Sequence, residues 1–229
     1  MAESFRGVLT SLLFSGPNGV APRVLLLTSA GPKEGKTTSI CNLGIALTEV
    51  RKKVLLIDAD MRRPRLHEVF NLSNERGLSQ ILKDGEMDAE ALEGVIQETM
   101  IPGLFVFPSG AATSSAANLL HSPAMERLLK QVSEEFDMVL IDSPPMLQIP
   151  DARVVARLVD GVVLVVRSGH TTRDAALAAR QRFRDDNTEI TGVILNDWNP
   201  KSSPNGYYGY YNGYYYNTYR YYSGDKSRG

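Results

Sequence analysis

Tyrosine is absent from the first 206 residues of this 229-residue chain, and all ten tyrosines fall between Tyr207 and Tyr222. Phenols kept out of a whole domain and gathered in one stretch are set apart from core packing. Cysteine is scarce too: Cys41 stands alone, which excludes an internal disulfide and fits a reducing compartment. Long apolar runs are missing. The longest, such as 162–166, are of strand length, so no segment reads as a bilayer span. Net charge is only -1, so no global field points to nucleic acid or an anionic membrane. A basic n-region is also lacking at the start. Glu3 interrupts it and the apolar run is short, which argues against a signal peptide. Residues 1–16 read instead as an amphipathic helix, with Phe5, Val8, Leu9, Leu12 and Leu13 on one stripe.

What is present is an alternation of strand-like and helix-length segments. Apolar runs at 24–28, 54–58, 104–108, 138–142, 162–167 and 192–196 suit strands buried on both faces of a parallel sheet. Helical segments are expected at 36–50, 89–97, 123–135, 152–158 and 172–185. This order predicts an α/β domain, doubly wound around a mostly parallel sheet with right-handed crossovers. One domain is expected over 1–199. From Pro200 onward Ser, Pro, Asn and Gly take over, and residues 200–229 are expected to form a disordered tyrosine-rich tail.

The segment VLLLTSAGPKEGKTTSICNLG reads as strand, loop, helix. Ala30, then four residues, then Gly35-Lys36-Thr37 is a P-loop with Ala in place of the first Gly. Backbone amides across Gly31, Lys33, Glu34 and Gly35 can cradle phosphate oxygens at the helix N-terminus, where the dipole favours anions. Lys36 would reach the β- and γ-phosphates, Thr37 would hold Mg²⁺ through its hydroxyl, and Thr38 follows as an α-phosphate donor. The cofactors implied are ATP and Mg²⁺.

Two strands end in carboxylates where an open α/β sheet binds its ligands. VLLIDADMRRP places Asp58 and Asp60 at the end of the second, on the same side if the strand persists. DMVLIDSPP places Asp142 at the end of the fourth, in the position of a metal-holding Walker-B aspartate.

AGPKEGKTT, VLLIDADMRRP and VLIDSPP, followed by the tyrosine tail, resemble the Walker elements of the bacterial tyrosine kinases, within the deviant-Walker class of P-loop NTPases. The likeness runs from Glu3 to Tyr222 and includes ESFRGVLTSLLFSG, GLSQIL and GVILND. Partition ATPases of the same class carry a second lysine five residues before the P-loop lysine; here that position is Gly31, which favours the kinase branch. The family's subunit-contact motif, Glu-x2-Arg-x2-Arg, is reduced to Glu3 and Arg6 because Leu9 stands at the third place. Asn118 replaces a Glu found in relatives, with no assignable consequence.

The resemblance implies an autokinase that phosphorylates its own tail in trans, in the setting of capsule and exopolysaccharide export. It implies a cytoplasmic location at the inner membrane face, ring-like homo-oligomers, a membrane activator and a cognate phosphatase. The acceptors would be Tyr207, Tyr208, Tyr210, Tyr211, Tyr214, Tyr215, Tyr216, Tyr219, Tyr221 and Tyr222. Asp58 or Asp60 would accept the phenol proton, and with Asp58 in that role Asp60 joins Thr37 and Asp142 near the metal. In the wider class Asn196 implies an adenine contact, though a strand-end Asn in a turn explains it equally. The competing readings are a partition-type scaffold ATPase whose tail binds partners, and a degenerate nucleotide module phosphorylated by another kinase.

Overall fold

The computed structural model describes residues 2–14, 21–85 and 87–199, the side chains of Ala2, Glu3 and Leu13 excepted. The ten tyrosines, the expected disorder beyond Pro200 and the Glu3 carboxylate therefore lie outside the described residues. The chain divides into two units, 1–196 and 197–229, and the elements below belong to the first.

Seven strands make one sheet: β1 (Val24–Ser29), β2 (Val54–Asp58), β3 (Gln97–Glu98), β4 (Leu104–Phe107), β5 (Met138–Asp142), β6 (Gly161–Arg167) and β7 (Ile190–Asn196). Their order is β3-β4-β2-β5-β1-β6-β7, and every pairing is parallel except the short β3 against β4. Side chains alternate across a strand, and the alternation sorts these strands into two apolar layers. Leu26, Leu55, Ile57, Val139, Ile141 and Leu164 face one side. There they meet α4 (Leu78–Asp84), α7 (Pro123–Glu135), α8 (Asp151–Val155) and α9 (Arg173–Asp185). Leu25, Leu27, Leu56, Leu140, Val163 and Val165 face the other, against α1 (Ala2–Leu13), α2 (Lys36–Glu49) and α3 (Leu66–Phe70). With apolar layers on both faces, the strands carry unbroken apolar runs, as expected. Each buried leucine contributes about 1.5–3 kcal/mol.

Gly44 shows how closely α2 lies on the sheet. A Cβ there would press on the methyl groups of Leu56 and Leu104 at 2.9 and 3.1 Å. A mid-helix glycine costs about 1 kcal/mol against alanine, and the close approach it permits offsets that cost.

The expected strands all form, as do the long helices. Three short helices were not anticipated: α3, α4 and α6 (Ala116–Leu120). The helix expected over 89–97 stops early as α5 (Ala89–Glu93), and Gln97 pairs in β3 instead. The segment 152–158 forms as α8 followed by a 3-10 turn, Ala156–Leu158. Helix α1 buries Leu9 and Leu12 with Phe5 and Val8 packed alongside, so these four residues of the predicted stripe dock on their own core, the Leu13 side chain lying outside the described residues. Arg6 Nε donates to Glu49 Oε2 at 3.0 Å, joining α1 to the last residue of α2.

Candidate active site

β1 delivers the chain into the loop 30–35, and α2 leaves it with Lys36 as first residue. Two residues turn left-handed to shape the loop, Lys33 with φ 61° and Gly35 with φ 94°. At Gly35 the requirement is double, since a Cβ would also run into the Asn196 carboxamide. One neighbouring side chain and three distant in sequence fix the loop from outside. Ser29 Oγ donates to Gly31 O at 2.7 Å, Arg167 Nη1 to Lys33 O at 3.2 Å and Asn196 Nδ2 to Glu34 O at 3.1 Å. Thr171 Oγ1 donates to Glu34 Oε1 at 2.8 Å, while the buried Oε2 has no partner. Asn196 thus braces the phosphate loop from the end of β7. Arg167 and Thr171 had no sequence signal, because their contacts span more than 130 residues.

Facing the loop are the carboxylates. Asp58 and Asp142 close adjacent strands and stand opposite one another in register. Thr37 Oγ1 donates to Asp142 Oδ2 at 2.6 Å, and Asp142 Oδ1 is buried without a partner. Asp58 Oδ2 accepts the N–H groups of Arg65 and Leu66 at 2.8 and 2.9 Å, and its Oδ1 accepts that of Asp60 at 3.2 Å. β2 stops at Asp58, so Asp60 does not reach the site by strand alternation. It sits in the turn beyond, where its Oδ1 accepts the Arg63 N–H at 3.1 Å.

Burial, assisted by the charge of Asp142, raises Asp58 to about 7. Burial also raises Asp142 to about 6, against the opposing pull of the Thr37 hydrogen bond and the Lys36 charge. Asp60 is raised as well, chiefly by burial, with Lys36 again among the groups acting against the rise. Lys36, mostly buried, thus shares a field with Asp60 and Asp142. Thr38 is exposed on the first turn of α2.

Crowded carboxylates with depressed acidity, an orphaned buried Oδ1 and an adjacent hydroxyl suit a hard divalent cation with oxygen ligands. Among the described residues no group of three or more His, Cys, Asp or Glu side chains can hold a metal by itself.

Loop, helix N-terminus and acidic strand ends together define a P-loop NTPase of the deviant-Walker class. The family model described as AAA domain matches residues 31–174. Tyrosine-protein kinase YwqD of Bacillus subtilis is 35% identical over 210 residues, covering 92% of this chain and 86% of YwqD. Tyrosine-protein kinase etk of Escherichia coli is 36% identical over 194 residues, 85% of this chain but only 26% of etk. The solved kinase domain of the Escherichia coli tyrosine kinase ETK superposes with TM-score 0.80 at 33% identity, over 89% of this chain and 78% of that one. The cell division ATPase MinD of Pyrococcus furiosus, at TM-score 0.65 and 24% identity, shares the fold. The chain belongs to the bacterial protein-tyrosine kinases, a branch of the P-loop ATPases. The family read from its three acidic and glycine-containing motifs is borne out.

Proposed function

We propose that this chain transfers the γ-phosphoryl group of ATP to tyrosines of its own cluster, Tyr207 to Tyr222, on a neighbouring copy. The observation that carries the reading is one meeting point: Lys36 and Thr37 face Asp58, Asp60 and Asp142 in a chain that stores every tyrosine it has beyond residue 206. The loop amides and Lys36 bind the nucleotide's phosphates. Thr37, Asp142 and Asp60 hold Mg²⁺, which neutralises developing phosphate charge when bound. Asp58 accepts the phenol proton; a carboxylate titrating near neutrality is suited to that work. Asn196, which donates to Glu34 O at 3.1 Å, would contact the nucleotide base as well as the loop, as the wider ATPase class implies.

Tyr216 lies sixteen residues beyond Pro200, and a random-coil segment of that length spans roughly 20–25 Å. A core of about 200 residues has a radius of gyration of about 16–17 Å. A tail therefore reaches an adjacent copy. The family resemblance supports a setting at the inner membrane face, in ring-like assemblies that would control capsule or exopolysaccharide export, with a membrane activator and a phosphatase as partners. No helix among the described residues is long and apolar enough to cross a membrane.

Phosphotyrosine formed by the purified, dephosphorylated chain with ATP and Mg²⁺ tests the reading. Lys36→Met should abolish it while the melting curve stays cooperative; retained label would sink the assignment. Mixing Lys36→Met chains, tails intact, with active chains whose ten tyrosines are Phe should label the former. Labelling absent from that mixture would mean transfer within one chain.

A further inference from the structure

Arg62 and Asp151 form a polar pair beside the site that the reading above does not use. Asp151 opens α8 with its side chain wholly buried. Arg62 Nε donates to its Oδ2 at 3.2 Å, and its Oδ1 has no partner. A carboxylate is almost never buried so completely without a cation. Fold stability explains such a pair poorly, because an apolar replacement of both partners is often neutral or stabilising.

Its position suggests another use. Arg62 lies two residues beyond Asp60, in the turn that the Asp60 carboxylate closes by accepting the Arg63 N–H at 3.1 Å. The charge of Asp151 is also felt at Asp60. Asp151 follows β5 and Arg62 follows β2, two neighbouring strands. The pair therefore stands at the same end of the sheet as Lys36. Arg62 commits only Nε to Asp151; its two Nη groups have no hydrogen-bond partner among the described residues, and the side chain is 39% exposed. A guanidinium anchored at Nε with both Nη groups available matches the planar geometry that grips phosphate oxygens in pairs.

We infer that Arg62, held by Asp151, presents its Nη groups to the phosphoryl group as it passes from nucleotide to acceptor. This rests on the proposed phosphoryl transfer. In that step the bond from the γ-phosphorus to the bridging oxygen breaks, and its electron pair stays on the departing diphosphate. A bond from the γ-phosphorus to the phenol oxygen forms, and the phenol proton passes to Asp58. Arg62 counters the charge on the moving group; Asp151 is a positioning residue that acts through Arg62.

The test uses ADP, Mg²⁺ and aluminium fluoride, which imitates a phosphoryl group in transit, with the full chain and a fluorescent ADP. Wild type should release ADP far more slowly once aluminium fluoride is added. Arg62→Met should bind Mg·ADP like wild type yet lose that gain, and its phosphotyrosine formation should fall by about 10²–10³-fold, the loss typical of one donor to transition-state charge. Arg62→Lys should recover part of both, and Asp151→Asn should fall between. The double variant Arg62→Met with Asp151→Leu removes the buried charge and keeps the fold, so a merely structural pair would leave trapping and transfer intact in it. Trapping restored in that variant, or Arg62→Met trapping like wild type, overturns the inference. So does loss of Mg·ADP itself by Arg62→Met, which would make Arg62 part of the nucleotide grip. If trapping depends on Arg62 while no tyrosine is ever labelled, the inference stands and the tyrosine acceptor is wrong.

Discussion

Asp58 and Asp142 are buried carboxyl groups whose surroundings favour the protonated form. A carboxyl group raised above its unfolded value stabilises the fold while it keeps its proton. That contribution is complete below pH 3.8 and is lost as pH rises through about 7 for Asp58 and about 6 for Asp142. The nucleotide-free domain should therefore melt lower at pH 8 than at pH 5, with each kcal/mol lost shifting Tm by about 2–4 °C in a domain of this size. Asp58→Asn should flatten that dependence, and comparison with wild type isolates it from other titrations. A wild-type profile parallel to the variant's would show that Asp58 does not carry it. Nucleotide binding should run the opposite way, with Mg·ADP affinity improving across the same interval as the carboxylates ionise. Asp142→Asn and Asp60→Asn should weaken Mg²⁺-dependent binding, whereas Asp58→Asn should mainly slow transfer. If Asp58→Asn loses Mg·ADP while Asp60→Asn binds normally, the two roles must be exchanged.

Helix α1 carries two kinds of contact of very different worth. The Arg6–Glu49 pair is roughly half exposed on both sides, 53% and 40%, and such pairs contribute about 0–1 kcal/mol. Leu9 and Leu12 are buried, and truncating either to alanine should cost about 2–5 kcal/mol. Arg6→Ala should then barely move Tm. If Arg6 also serves a contact between copies, that variant should sediment as smaller species before phosphorylation; unchanged sedimentation would confine Arg6 to its own Glu49. Elements long enough to repeat their apolar period were legible in the sequence, as α2, α7 and the buried strands attest. Five-residue helices such as α3 and α6 offer barely more than one turn, too little for a 3.6-residue period to declare itself. The two-residue β3 depends on pairing with β4, which no local pattern encodes. The candidate site divides the same way. Lys36, Thr37, Asp58, Asp60 and Asp142 lie in motifs adjoining strands, whereas Arg167, Thr171 and Asp151 reach the site through contacts only tertiary packing creates. Asn196 was expected as a ligand contact, and its brace on Glu34 became visible only once β7 lay beside β6.

For the whole molecule, the proposed phosphorylation of the tail's ten phenols would give an assembly of copies a charge-based control. Its four basic residues against one acidic leave it at +3, and each phosphate adds about -1.5 to -2. A heavily modified tail should leave an acidic, phosphate-filled site, so dense phosphorylation should yield monomers and phosphatase treatment should restore assembly. Replacing all ten tyrosines with Phe should leave ATP binding normal and keep chains assembled through long incubation with ATP and Mg²⁺. Disassembly of that variant on the wild-type schedule would make nucleotide turnover the switch and favour a partition-type scaffold. Helix α2 adds a second consequence. It is a rod of about 20 Å, with Lys36 at one end and, at the other, Glu49 bonded to α1. A neighbour that gripped α1 would bear on the helix that opens at Lys36, coupling assembly to nucleotide binding. Such coupling is reciprocal: whatever factor assembly adds to Mg·ATP affinity, Mg·ATP must return to assembly. Where that factor exceeds one, each copy that loads a nucleotide would recruit the next, and assembly would follow ATP as a cooperative signal.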